Sequence, residues 1–302
     1  MRAAIGIDIG GTKIAGGLVD LTVGTLVDQA ELPTPHGQGA DAILAVAADI
    51  AERMQRSAEA KGIASAGIGI GLPELVGLDG VPASSWIADW SQSDIARAFA
   101  GHGPVAVDSD VRVATLAELH YGHGKALPSF VFVSAGTGLS FASCVGGIVQ
   151  RGANGFAIHF ASSELVAFDG VSGRRADFVL ESFASGLGMA RVYKARTGRT
   201  ATARDIVEGR AGSEGAQLLD EATTALASYL GQMINMIDPH GVVIGGGLGT
   251  AQPYFDRLRS KVPTYVWAEA CRGLPVLASA LGSAAGVIGA AALHADKNSA
   301  GE

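Results

Sequence analysis

Three glycine-rich segments and one aspartate in this sequence have the residue types that phosphoryl transfer requires. That chemistry needs backbone N–H groups and a cation to hold a polyphosphate, a metal ion to spread its charge, and a base to orient the attacking hydroxyl. In Asp8-Ile9-Gly10-Gly11-Thr12-Lys13, the glycines let amides approach phosphate oxygens without a Cβ in the way. Thr12 can hydrogen-bond, Lys13 can neutralise charge, and Asp8 can orient Mg2+ through water. A structural Gly-Gly hairpin accounts for the same letters equally well. Gly136-Thr137-Gly138 is a second candidate phosphate loop, and Gly245-Gly246-Gly247 suits close approach to a flat adenine or ribose, although a plain strand-to-helix turn reads the same way. Asp110 is the candidate base for a sugar hydroxyl, with an N-cap role for Asp110, Ser109 or Asp108 as the alternative.

These residues must be placed by an alternation of strands and helices. Residues 3–9 read as a buried strand and residues 14–20 as its hairpin partner, a β-turn-β opening. A P-loop or Rossmann fingerprint would need a helix directly after the glycine turn, so both are disfavoured. Ile43, Ala47, Ile50 and Met54 share one helical face over residues 40–61, and a strand follows at 66–70. A strand at 105–107 runs into Asp108-Ser109-Asp110, ahead of a helix with Val113, Leu116 and Ala117 inward. The apolar strand 130–134 stops at the 136–138 loop, and another strand over 139–149 repeats the opening in form. Leu218, Leu219, Ala222, Leu226, Tyr229, Leu230, Met233 and Ile237 describe one long helix from Glu214, ended by Asp238-Pro239. A strand at 242–244 and an Ala/Gly-rich helix over roughly 282–296, suited to close packing, complete the order.

Composition narrows the function classes. With 48% hydrophobic residues, 17% charged residues and 43 glycines, the 302-residue chain reads as compact α/β with many tight turns, long enough for two domains. A net charge of −7 and no Lys/Arg-dense run argue against nucleic-acid or membrane partners and for a small-molecule substrate. Cys144 and Cys271 are far apart with no His at ligand spacing, which fits reduced cysteines rather than a disulfide framework or a four-ligand zinc site. The N-terminus lacks a signal-peptide pattern and the apolar tail is too short to span a bilayer, so cytoplasmic location is expected.

The same segments resemble the ROK family of bacterial sugar kinases and repressors, within the actin-like ATPase superfamily. The resemblance runs over almost the whole chain: IGIDIGGTKIAGGLVD at the start, GTG at 136–138, RGANG at 151–155, DPHGVVIGGG at 238–247 and GSAAGVIGAAAL at 282–293. It implies an α/β fold of two actin-like (ribonuclease H-like) lobes with ATP and sugar in a central cleft. The expected N-terminal lobe is 1–113 plus 283–302, the expected C-terminal lobe is 114–282, and a homodimer is expected. It also implies an ATP-dependent kinase using Mg2+, with Asp110 as base and a hexose 6-hydroxyl as acceptor.

Departures from the family pattern fall on the sugar side. The usual Asn-Asp-Ala is Ser109-Asp110-Val111, and after RGANG the usual Ala-Gly-Glu-Ile-Gly-His is Ala157-Ile158-His159-Phe160-Ala161-Ser162. The zinc stretch, Ser172 to Glu181, has no cysteine, so no zinc site is expected, while Glu181 stands where the family's sugar-binding Glu does. The Gly-x-Pro-Gly loop is Gly71-Leu72-Pro73-Glu74, and Ser84-Ser85-Trp86 lies where an Asn precedes the family's Gly-Trp, here Asp89-Trp90. The expected sugar contacts are Glu74, Ser109, Asp110, Asn154, Gly155, His159, Ser162 and Glu181. An added carboxylate at Glu74 would suit a protonated amino group, which points to an amino-hexose, specifically 3-amino-3-deoxyglucose (kanosamine). Glucokinase- or fructokinase-type activity is the alternative. A sugar-sensing regulator, disfavoured because the kinase motif begins so near Met1, and a non-catalytic binding subunit are further rivals.

Overall fold

In the computed structural model, which describes residues 1–91, 93 and 95–295, the chain divides into two compact units. The first comprises Met1–Pro128, Gly147–Ile158 and the chain from Ser283 onward, and the second Ser129–Gly146 and His159–Gly282. The expected boundary at 113 would cut a helix, Asp110–Tyr121, that lies whole within the first unit. The expected extent 296–302 of the N-terminal lobe lies outside the described residues.

The first unit is built on β1 (Ala3–Ile9), β2 (Lys13–Asp20), β3 (Thr25–Pro33), α1 (Ala40–Ala60), β4 (Ser65–Leu72), α2 (Ile95–Ala98), β5 (Val105–Ser109) and α3 (Asp110–Tyr121). β1 is buried along nearly its whole length, and its antiparallel hairpin with β2 pairs Ile9 with Ile14 across the Gly10–Thr12 turn. β3 adds to β2, while β4 and β5 lie parallel to β1, giving the order β3-β2-β1-β4-β5. The parallel register sets Asp8 beside Gly71 and Gly71 beside Asp108. The segments that leave the C-terminal ends of β1, β4 and β5 therefore start side by side, where α/β sheets gather ligands. α1 buries Ile43, Leu44, Ala47, Ile50, Ala51, Met54 and Ala58 against the core of this sheet. The chain's last helix, Ala285–Ala292, packs on β1, β4 and α3 at a distance only glycines permit. A Cβ on Gly6 would stand 1.9 Å from Val287 O, on Gly69 1.7 Å from Ala290 O, and on Gly289 1.7 Å from Val113 O.

The second sheet contains β6 (Phe130–Ala135), β7 (Leu139–Val145) and β8 (Ile148–Val149), followed by a separate exposed hairpin of β9 (Leu165–Phe168) and β10 (Arg175–Phe178). The helices α4 (Glu181–Ala184), α5 (Gly186–Thr197), α6 (Ala203–Val207) and α7 (Gly212–Ile237) lead to β11 (Gly241–Gly245), α8 (Gln252–Lys261) and β12 (Val276–Ala278). The order β12-β11-β6-β7-β8, with β6–β7 antiparallel and β6, β11 and β12 parallel, repeats the first sheet's plan. The strand expected over 139–149 is two strands, separated where Gly146 and Gly147 take φ of 58° and 80°. α7 buries Leu218, Leu219, Ala222, Leu226, Leu230 and Met233 as its period predicts, and Asp238 ends it in the left-handed region at φ 50°. Among the described residues no helix is long and apolar enough to cross a membrane.

Candidate active site

In the first unit Asp8, Glu74 and Asp110 lie near the C-terminal ends of β1, β4 and β5, close enough for the charges of the first two to bear on the third. Asp110 opens α3, its Oδ1 accepting from Val111 N at 2.6 Å, while Ser109 occupies the N-cap position without a side-chain cap bond. Burial first, and then the neighbouring charges of Asp8 and Glu74, push the Asp110 carboxyl up to about 7 against the opposing Val111 N–H and Arg112. Asp8 is raised to about 6, again by burial first, with Lys13 pulling the other way. Nothing bulky can stand over Asp8, because a Cβ at Gly286 would lie 2.2 Å from its Oδ2. The desolvated Asp8 carboxyl is a hard oxygen donor of the kind Mg2+ takes, so it fits the expected ion through water, while among the described residues no group of three or more such donors converges.

The turn after β1 is closed by Gly10 N donating to Lys13 O at 2.9 Å and by Thr34 Oγ1 donating to Gly10 O at 2.6 Å. Gly11 and Thr12 stand exposed at its tip. Lys13 is half exposed and paired with Glu31 at 2.5 Å, so its charge is shared with the neighbouring strand.

Two of the expected sugar contacts are otherwise engaged. Glu74 is fully buried, and its carboxylate accepts four hydrogen bonds: from Ser84 Oγ, from Trp86 N and Ile87 N at 3.0 Å each, and from Trp90 Nε1 at 3.0 Å. A carboxylate so engaged folds the 84–90 segment around itself, its acceptor positions already taken by four protein donors. Ser109 is likewise buried and donates its hydroxyl to Glu74 O at 2.8 Å. Asn154 is exposed, and Gly155 is buried at φ 84°, where a Cβ would lie 2.6 Å from Val76 O. Sequence patterns gave no sign of Arg112, which lies fully buried beside these loops; a charged residue at that helical position reads as solvent-facing.

In the second unit the Gly136–Gly138 loop is tied to the start of α5 by Gly186 N donating to Gly136 O at 2.9 Å and Leu187 N to Thr137 O at 3.1 Å. Thr137 and Gly138 remain exposed. Glu181 Oε2 accepts from Leu139 N at 2.9 Å, and a Cβ on Gly138 would come within 3.0 Å of the same oxygen. Glu181 also faces His159: burial lowers the His159 pKa, and the Glu181 charge works against that shift. His159 Nδ1 lies 3.3 Å from Ser162 Oγ, so Glu181, His159 and Ser162 form one group beside the 136–138 loop. At the end of β11, Gly246 has φ 81° and a Cβ there would lie 2.3 Å from Ala135 O, whereas Gly247 is exposed with open space at its Cβ position. Leu248 N and Gly249 N donate to Ala135 O at 3.0 and 2.9 Å, which fixes the glycine turn to the end of β6.

Comparison with known proteins agrees with the fold. The Streptomyces coelicolor glucokinase is 27% identical over 97% of this chain and 98% of its own length. The N-acetylgalactosamine kinase AgaK of Shewanella sp. strain ANA-3 is 29% identical over 95% of both chains. In fold, the structure of a ROK family glucokinase from Streptomyces griseus, in complex with glucose and AMPPNP, superposes with a TM-score of 0.80 at 23% identity, covering 96% of this chain and 98% of that one. The ROK family pattern itself matches residues 4–297, and the chain therefore belongs to the ROK family.

Proposed function

We propose that the protein is an ATP-dependent hexose kinase that transfers the γ-phosphate of ATP to a sugar hydroxyl, with Asp110 as the base. The observation that carries this is the Asp110 carboxyl, held at about 7 beyond a parallel strand end with Asp8 beside it and a glycine turn after β1. A base poised near neutral pH can accept the acceptor's proton as the O–P bond forms. The relatives named glucokinase and N-acetylgalactosamine kinase, matched over nearly their full lengths, support a sugar acceptor, and the fold relative holding AMPPNP supports ATP. The 6-hydroxyl, a hexose's least hindered alcohol, is the proposed nucleophile.

On this reading Gly10, Gly11, Thr12, Lys13 and the 136–138 loop address the phosphates, and Gly245–Gly247 the nucleoside. Asn154, Gly155, His159, Ser162 and Glu181 address the sugar. Asp8 would hold Mg2+ through water; when bound, that ion spreads the charge of the transferring phosphoryl group. The His159–Ser162 pair and the Glu181 carboxylate together supply donor and acceptor groups of the kind that sugar hydroxyls take. An amino-hexose such as kanosamine loses its main support, because the acceptor positions of Glu74 are already taken by four protein donors. A neutral hexose or N-acetylhexosamine is the acceptor proposed.

The test is product identification by mass spectrometry after incubation with ATP and Mg2+ and a panel of glucose, N-acetylgalactosamine and 3-amino-3-deoxyglucose. A hexose 6-phosphate is expected, and Asp110→Asn should lower kcat by about 10²–10⁴-fold. Undiminished turnover in that variant would remove Asp110 from its role.

A further inference from the structure

The helix that begins with Asp110 buries an arginine two residues later. Arg112 is 1% exposed, and all three of its nitrogens are used. Nε donates to Asp108 Oδ1 at 2.5 Å, Nη1 to Gly155 O at 2.5 Å, and Nη2 to Val76 O at 2.9 Å while also pairing with Asp108. Asp108 is itself buried and accepts from Ser109 N at 2.7 Å. Arg151, 3.7 Å from the same Asp108 oxygen, donates to Gly77 O at 3.0 Å. Two segments distant in sequence, 74–77 and 151–155, are thus fastened to each other and to the first turn of α3.

The geometry points to Arg112 as a positioning residue for acceptor binding: its guanidinium holds the 151–155 loop, which carries Asn154, in register with the base Asp110. This rests on the kinase reading given above. The planar guanidinium fork is what the site uses, since three acceptors in different directions are met by one rigid group, a task that a lysine ammonium on a flexible stem does not reproduce. Arg112 touches no reacting atom and acts through the loop it holds.

The experiment compares wild type, Arg112→Met, Arg112→Lys and the double variant Arg112→Met/Asp108→Asn, with the hexose that wild type phosphorylates fastest. KM for sugar, KM for ATP and kcat are measured alongside thermal melts. Arg112→Met should raise the sugar KM at least tenfold with the ATP KM changed less than twofold. Arg112→Lys retains the charge but not the planar fork, and should keep a sugar KM at least threefold above wild type. The double variant removes the orphaned Asp108 charge, so it keeps the measurement available if Arg112→Met does not fold, and it should show the same sugar KM increase. An equal rise in both KM values, or a lowered melting temperature with unchanged sugar KM, overturns the positioning role. If wild type phosphorylates no sugar, the kinase reading falls and this inference with it; an active wild type with silent Arg112 variants overturns the inference alone.

Discussion

Asp110 is held at odds with the stability of the chain around it. Its carboxyl rises from 3.8 to about 7 on folding, so the folded chain binds that proton more tightly than the unfolded one. The associated stability is fully present below pH 3.8 and is lost as pH rises through about 7. Asp110→Asn should therefore melt higher than wild type at pH 8 and lose that advantage at pH 3.5, which paired thermal melts would show. Activity runs the opposite way: the base works ionised, so kcat/KM should fall about tenfold per pH unit below the Asp110 pKa. Glu74 shows a different use of a buried carboxylate. Glu74→Gln replaces an acceptor for Trp86 N and Ser84 by an amide N–H, so two donors face a donor. We expect a loss of about 1–3 kcal/mol in urea unfolding, with faster hydrogen exchange at Trp86 and Ile87. The aspartate after β5 was legible because strand ends collect ligands; the engagement of Glu74 was not, because its partners come from 10 to 16 residues downstream and no local pattern announces them.

At the level of elements, glycines set how closely the last helix of the first unit sits on its sheet. Gly69→Ala would drive a methyl into Ala290 O, and the strand or the helix must move. A destabilisation of about 1–3 kcal/mol is expected, measurable as a lower urea midpoint with an unchanged slope. Gly286→Ala presses instead on the Asp8 carboxylate and should weaken Mg2+-dependent turnover more than it lowers stability. The β1–β2 hairpin, α1 and α7 could be read from apolar runs and helical period, because each buries one clear face. The hairpin of β9 and β10 could not. Its strands have four residues each, nearly all exposed, so no alternation marks an inner face. β3 was missed for a related reason: at a sheet edge, its mixed sequence TLVDQAELP never becomes buried.

Across the whole molecule, two five-stranded sheets share one plan, in which the first strand pairs antiparallel with the next on one side and parallel with two later strands on the other. The repeated β-turn-β opening gave that away in the sequence. What the sequence concealed is the path of the chain, which returns from the second unit to the first at Gly147–Ile158 because Gly155 and Arg151 are fastened to the 76–77 segment. The helix Ala285–Ala292 makes a similar return, and it packs on β1, the earliest strand of its own sheet in chain order. During synthesis on the ribosome, the first strand must therefore wait for residues 285–292 to emerge before its unit can close, while most of the second unit already has its full sequence. Nascent chains arrested before residue 285 should accordingly stay protease-sensitive over 1–128 and gain resistance when the last helix clears the exit tunnel. The first unit therefore stays open until after the second has its sequence, and its glycine-lined strands lack their covering helix for that whole interval.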